Sequence, residues 1–124
     1  MCVRKIRSGL LAGLLLAAAA AAAAPDGEAL YGRCLACHAL RYDRVGPRHC
    51  GLAGRLAGSV PGFAYSAAMR DAGIVWQADT LDRFLAAPAA MVPGTTMTYA
   101  GIADPAERAA LIDWLLAPAQ AACR

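Results

Sequence analysis

The sequence predicts an all-α fold, a small domain of about four helices joined by long loops. Three observations lead there. Apolar residues recur at helical spacing in segments that carry recognisable caps and stops. No segment alternates apolar and polar residues in the manner of a half-buried strand. The stretches between the helices are rich in Gly and Pro, and two of them, about 40–65 and 88–104, are long for so short a chain. Loops of that length in a small domain normally wrap something, and a large prosthetic group would supply the missing core.

The elements follow in order. Residues 1–24 read as a cleavable secretory signal peptide and 25–124 as a single domain. Arg4, Lys5 and Arg7 precede an unbroken run of Leu, Ala and one Gly over 10–24, which ends in small residues before Pro25. That run of 15 residues is short for a bilayer span, so no permanent membrane anchor is expected. The first helix is expected over 27–39, with Asp26 as its cap and Leu30, Tyr31, Cys34 and His38 on one stripe. A short second helix, 67–72, has Ser66 as cap and Gly73 as stop. The third, 80–87, has Asp79 as cap, presents Leu81, Phe84 and Leu85 on one face, and ends at Pro88. The fourth, 105–117, combines Asp104 as N-cap, Pro105 in the first turn and Glu107 in a capping box, and stops at Pro118. Leu111, Ile112 and Leu115 form its apolar face.

Charge narrows the function classes. The whole chain carries +3, but Lys5 is its only lysine and lies in the leader. Across 25–124, nine arginines balance nine acids, so the exported domain is neutral. Neither that balance nor any basic cluster interleaved with aromatics supports a nucleic-acid partner. Four cysteines remain after the leader, at 34, 37, 50 and 123, in a compartment where disulfides persist.

The chemistry sits in Cys34-Leu35-Ala36-Cys37-His38, the C-x-x-C-H pattern of covalent c-type haem attachment. Two thiols three residues apart on one helical turn reach the two vinyl groups of a porphyrin, and the following imidazole falls beneath the iron. Two other readings of the pair are a redox dithiol, which belongs in a βαβ context, and half of a zinc site, which needs a second pair of ligands. Met69, Met91, Met97 and His49 are the candidates for a sixth iron ligand. Met69, among alanines on a short helix, suits the core. His49, eleven residues after His38, is read as a buried or surface histidine rather than a ligand.

Several motifs in order make the resemblance more specific than C-x-x-C-H alone. Gly27-Glu28-Ala29-Leu30-Tyr31, CLACH, Val45-Gly46-Pro47, Gly51-Leu52-Ala53-Gly54-Arg55, Gly62-Phe63-Ala64-Tyr65-Ser66, Gly73-Ile74-Val75-Trp76, Pro93-Gly94-Thr95-Thr96-Met97 and the terminal helix around Trp114 together resemble the class I c-type cytochromes. These are the mitochondrial cytochrome c and its small bacterial periplasmic relatives, and the resemblance covers nearly all of the chain after the leader. It implies one haem c per chain, attached through Cys34 and Cys37, with His38 and Met97 as the axial iron ligands. It implies that Pro47 accepts a hydrogen bond from the His38 ring, and that Arg55, Tyr65 and Trp76 donate to the haem propionates. It places Gly27, Tyr31, Leu111 and Trp114 at the crossing of the first and last helices. It also brings the chain end near the loop after Pro47, so that Cys50 and Cys123 are expected to pair as a disulfide. The chain departs from the family in three respects. Phe84 stands where a tyrosine is common, Thr96 stands at a frequent lysine position, and the lysine ring used for docking is absent.

The function implied is a one-electron carrier, monomeric and periplasmic, its iron cycling between Fe(II) and Fe(III). Its partners would be membrane or periplasmic redox complexes: a quinol–cytochrome c oxidoreductase, a terminal oxidase, or a single dehydrogenase served as a dedicated acceptor subunit. A thioether opposite the imidazole raises the reduction potential and closes the iron to peroxide, which argues against an enzyme. Arg33, Arg41, Arg44 and Arg48 cluster near the haem motif as a candidate docking patch.

Overall fold

The computed structural model describes residues 20–124. The leader reading falls mostly on residues 1–19, outside the described residues, and 20–26 are exposed and carry no regular element. Six helical segments follow: α1 (Gly27–Tyr31), α2 (Ala67–Arg70), α3 (Ala78–Ala86), α4 (Pro88–Met91), α5 (Pro105–Leu116) and α6 (Pro118–Ala121). Among the described residues there is no β-strand, only an isolated antiparallel bridge between Leu56 and Val75. The all-α expectation holds.

Asp26 caps α1 by accepting from the Glu28 and Ala29 backbone N–H groups. The helix is shorter than its periodicity predicts. After Tyr31 it tightens into a 3₁₀ turn, Gly32–Cys34, which carries the chain into the C-x-x-C-H motif. Ser66 caps α2 through Met69 N–H. The third helix starts two residues before its predicted start: Gln77 is the N-cap in place of Asp79, and its N–H donates to the Thr80 hydroxyl. Asp79 thus lies inside the first turn. Pro88 ends α3 and also opens α4, since proline suits a first helical turn. Pro118 behaves in the same way. It stops α5 and starts α6, which turns the chain end back toward residue 50.

The core forms where α1 and α3 both pack against α5. Leu111 is fully buried, and Leu30, Leu81, Phe84, Leu85, Ile112 and Leu115 surround it. At the crossing of α1 and α5 a Cβ on Gly27 would lie 2.2 Å from the Ala110 carbonyl oxygen and 2.6 Å from the Trp114 Cβ. Only glycine permits that approach. Tyr31 packs on Trp114 beside it, ring centroids 4.8 Å apart.

Ion pairs fasten these elements. Asp104 caps α5 through Ala106 N–H, but Glu107 does not complete the expected capping box. Its carboxylate takes both ends of the Arg33 guanidinium, at 2.7 and 2.8 Å, and so ties the 3₁₀ turn to α5. Arg108 likewise joins α5 to Asp82 of α3 at 2.8 Å and to the Ile102 carbonyl at 2.9 Å. The long loop 40–65 is anchored by backbone pairing with 74–76, including Trp76 N–H to the Arg55 carbonyl at 2.9 Å.

Candidate haem site

One cavity runs between the C-x-x-C-H turn, the loop 45–55, α2, α3 and the loop 95–99. Its walls are mostly apolar: Leu52, Met69, Trp76, Leu81, Phe84 and Leu85 face it with Cys34, Cys37 and His38 at one end. Cys34, Cys37, His38, Pro47, Arg55, Tyr65, Trp76 and Met97 all line the cavity. Cys50 and Cys123 do not; they form a disulfide behind the loop, with Cα atoms 5.6 Å apart.

The motif is presented by local backbone pairing. His38 N–H bonds to the Cys34 carbonyl at 2.9 Å, and Gly46 N–H to the Cys37 carbonyl at 2.7 Å. The His38 ring is buried, and its Nδ1 donates to the Pro47 carbonyl at 2.7 Å. That bond sets the tautomer and leaves Nε2 with its lone pair free for a metal. Burial lowers the His38 pKa, which favours the neutral ring. Gly46 lies against the ring so closely that a Cβ there would come 2.2 Å from Cε1.

Cys34 and Cys37 are not bonded to each other. Burial pushes the Cys34 thiol up to about 11 despite the neighbouring Arg33. A redox dithiol depends on the opposite shift, a thiolate stabilised near neutral pH. Among the described residues no group of three or more His, Cys, Asp or Glu side chains is arranged to hold a metal ion, so a zinc site has no partners for this pair.

Arg55 supplies the clearest mark of a site suited to an anionic group. Its terminal nitrogens donate to the Cys50 and Arg48 carbonyls at 2.9 and 3.0 Å, while Nε is buried without a partner. Burial holds the guanidinium below its ordinary pKa. A buried donor on an unpaired cation is costly, and a haem propionate at this wall would relieve the cost. Nearby, the Tyr65 hydroxyl accepts from Val60 N–H at 3.3 Å. An apolar cavity, two thiols beside a prepared imidazole and an unsatisfied arginine together fit a haem.

Of the three internal methionines, Met69 and Met97 line the cavity and Met91 does not. Met97 sits in an irregular loop whose backbone is set by the Thr95 hydroxyl, which accepts from Met97 N–H at 3.2 Å. Met69 is buried in the core cluster.

His49 is closer to the chemistry than its sequence position suggested. Its ring stacks on His38, centroids 4.3 Å apart and planes 22° apart, and its Nδ1 is 3.0 Å from the Tyr31 hydroxyl. Burial, with the adjacent His38 and Arg55, depresses its pKa to about 3. Gln120 escaped the sequence reading altogether. Its amide donates to the His49 carbonyl at 3.0 Å and accepts from Gly51 N–H at 2.7 Å, so it brackets Cys50. Nothing short of the fold relates residue 120 to residue 50. Of the four clustered arginines, Arg33 pairs with Glu107 and Arg48 with Asp43, while the exposed Arg41 and Arg44 bond to the Ala122 and Leu35 carbonyls.

Comparison with known proteins gives a consistent result. No protein-family model matches the chain. It is 41% identical to the cytochrome c2 of Rhodomicrobium vannielii over 92 residues, which covers 72% of this chain and 74% of that one. It is 38% identical to the cytochrome c2 of Blastochloris viridis over 117 residues, covering 91% and 92%. Among solved structures, cytochrome cH from Methylobacterium extorquens superposes with a TM-score of 0.70 at 38% identity, covering 72% of this chain and 92% of that one.

Proposed function

This chain belongs to the class I c-type cytochromes, electron-transfer proteins rather than enzymes that carry covalent haem c, and we propose that it is a periplasmic one-electron carrier with His38 and Met97 as axial ligands. The observation that carries this reading is the His38 ring, oriented by Pro47 and directed into an apolar cavity whose other walls include Met97. A haem held there would supply the one-electron redox centre through the Fe(II)/Fe(III) couple of its iron. Cys34 and Cys37 would hold it by thioether bonds. Pro47 keeps the His38 ring in the ligating tautomer and raises its basicity. Arg55, with Tyr65 and Trp76, receives the propionates. The apolar wall of Leu52, Met69, Trp76, Phe84 and Leu85 excludes water, which limits solvent reorganisation on electron transfer and favours the less charged Fe(II) state.

Export of the domain is supported by the basic and apolar leader pattern of residues 1–24. No helix among the described residues is long and apolar enough to cross a membrane. The partners proposed are membrane or periplasmic redox complexes. With nine arginines balanced by nine acids in 25–124 and two of the four arginines near the motif ion-paired, long-range charge steering contributes little. Partner oxidation should therefore respond weakly to ionic strength.

Ligation is tested by spectroscopy of the ferric holoprotein. Met97→Ala should abolish the weak near-infrared band of Met–haem ligation and lower the reduction potential, while Met69→Ala should leave the band in place. Persistence of the band in Met97→Ala assigns the ligand elsewhere and refutes the reading.

A further inference from the structure

We propose that His49 is a positioning residue that sets the rotational angle of the axial imidazole of His38. The proposal rests on His38 being the iron ligand, as argued above.

The single hydrogen bond from His38 Nδ1 to Pro47 fixes one atom of the ring. A lone bond of this kind is compliant to twisting about the iron–nitrogen axis. A flat, buried surface against the ring face is not, because rotation would drive the ring edge into it. His49 provides that surface, stacked at 4.3 Å and 22°. Gly46 closes in on the ring atoms as well, so the imidazole sits in a slot.

His49 can act as a reference plane only if it is itself held, and it is held at both ring and backbone. Tyr31 bonds its Nδ1 at 3.0 Å and meets the ring edge-on with centroids 5.6 Å apart. Tyr31 is in turn packed on Trp114 at the α1–α5 crossing. On the backbone, His49 N–H donates to the Ala39 carbonyl at 3.1 Å and its carbonyl accepts from Gln120 at 3.0 Å. The next residue is joined to Cys123. A continuous set of contacts thus runs from the crossing of the first and fifth helices, and from the C-terminal turn, to the axial ring. A hydrophobic residue filling the same volume would complete the core equally well. What the imidazole adds is a flat face with a hydrogen bond that fixes its own orientation.

The angle of the axial ring contributes to which iron π-orbital holds the unpaired electron in the ferric state, and hence to which pyrroles carry spin density. Proton NMR of the ferric holoprotein reads this directly as the order and spread of the haem-methyl resonances, and EPR reads it as the anisotropy of the g-tensor. The wild-type spectrum should contain a strongly shifted Met97 methyl resonance. Its absence would overturn the His/Met reading itself, separately from the role of His49. Given that signature, His49→Leu should reorder the haem methyls and shift the g-values while the near-infrared band persists. His49→Phe, which retains a flat ring, should return the order toward wild type. Tyr31→Phe, which frees His49 from its hydrogen bond, should produce a smaller change in the same direction. An unaltered methyl order in His49→Leu overturns the proposal, as does a His49→Phe spectrum displaced as far as that of His49→Leu. If His49→Leu fails to mature, an unaltered spectrum in Tyr31→Phe overturns it.

Discussion

Removing the Cys50–Cys123 bond is the sharpest test of how this small domain is held together. The bond joins residues 73 apart. In the chain-entropy account, a loop of that length removes about 15 cal/mol/K from the denatured ensemble, which is about 4.4 kcal/mol at 25 °C. The thioether-bound haem closes no loop overlapping this one, because both its attachment points lie within one turn, at Cys34 and Cys37. The proposed bond from Met97 to the iron would break on unfolding. The two restraints should therefore not share their effect. For a domain of about 100 residues the loss corresponds to a fall of about 20 °C in Tm. The perturbation is the double variant Cys50→Ser, Cys123→Ser, which leaves no unpaired thiol. The assay is guanidinium unfolding of the ferric holoprotein, followed by the haem band and by circular dichroism. The midpoint should fall, and m should rise slightly because the uncrosslinked denatured chain is more expanded. Loss of less than about 1 kcal/mol would refute the entropic argument.

Other predictions follow from burial and close contact. His49 is neutral in the folded protein, its pKa held at about 3 against an ordinary 6.5. Only the unfolded chain therefore takes up that proton as pH falls below about 6.5. Stability is full above that pH and declines by about 1.4 kcal/mol per unit toward pH 3, where the folded form also protonates. Unfolding free energies measured across this window should show a shallower slope in His49→Leu. Gly27→Val places side-chain atoms against the Ala110 carbonyl and should cost at least about 1–3 kcal/mol in thermal unfolding, whereas Gly32→Ala, where a Cβ meets nothing within 4 Å, should change Tm little. Arg55→Leu removes the only buried unsatisfied side-chain donor found among the described residues together with a positive charge at the cavity wall. A cation there disfavours the more positive Fe(III) state, so potentiometric titration should show a lower reduction potential; a rise would contradict the placement of Arg55 at the propionates.

Much of this was legible in the chain's own residues because it depends on neighbours in sequence. The C-x-x-C-H spacing, the caps Asp26, Ser66 and Asp104, and the apolar faces of α3 and α5 are local patterns set by one or two helical turns. Local reading also went astray in consistent ways. Pro88 and Pro118 were expected only to stop helices, yet proline is equally at home in a first turn, and both begin new ones. Glu107 sat at the right spacing for a capping box, but a guanidinium brought in from residue 33 was the stronger partner. The motif order, through family resemblance, supplied expectations for the site that spacing alone left open, including Met97 over Met69 and the pairing of Cys50 with Cys123.

Packing between distant segments settled the rest. The His38–His49 stack, the Tyr31 hydroxyl that anchors it and the Gln120 amide that brackets Cys50 bring together residues from opposite ends of the chain. Two arginines of the expected patch, Arg33 and Arg48, are drawn into ion pairs for the same reason. A side chain's nearest sequence neighbours determine its helix, cap or turn. Which distant group meets its polar atoms depends on how α1, α5 and α6 close around one cavity, and that closure is a property of the whole core rather than of any stretch within it.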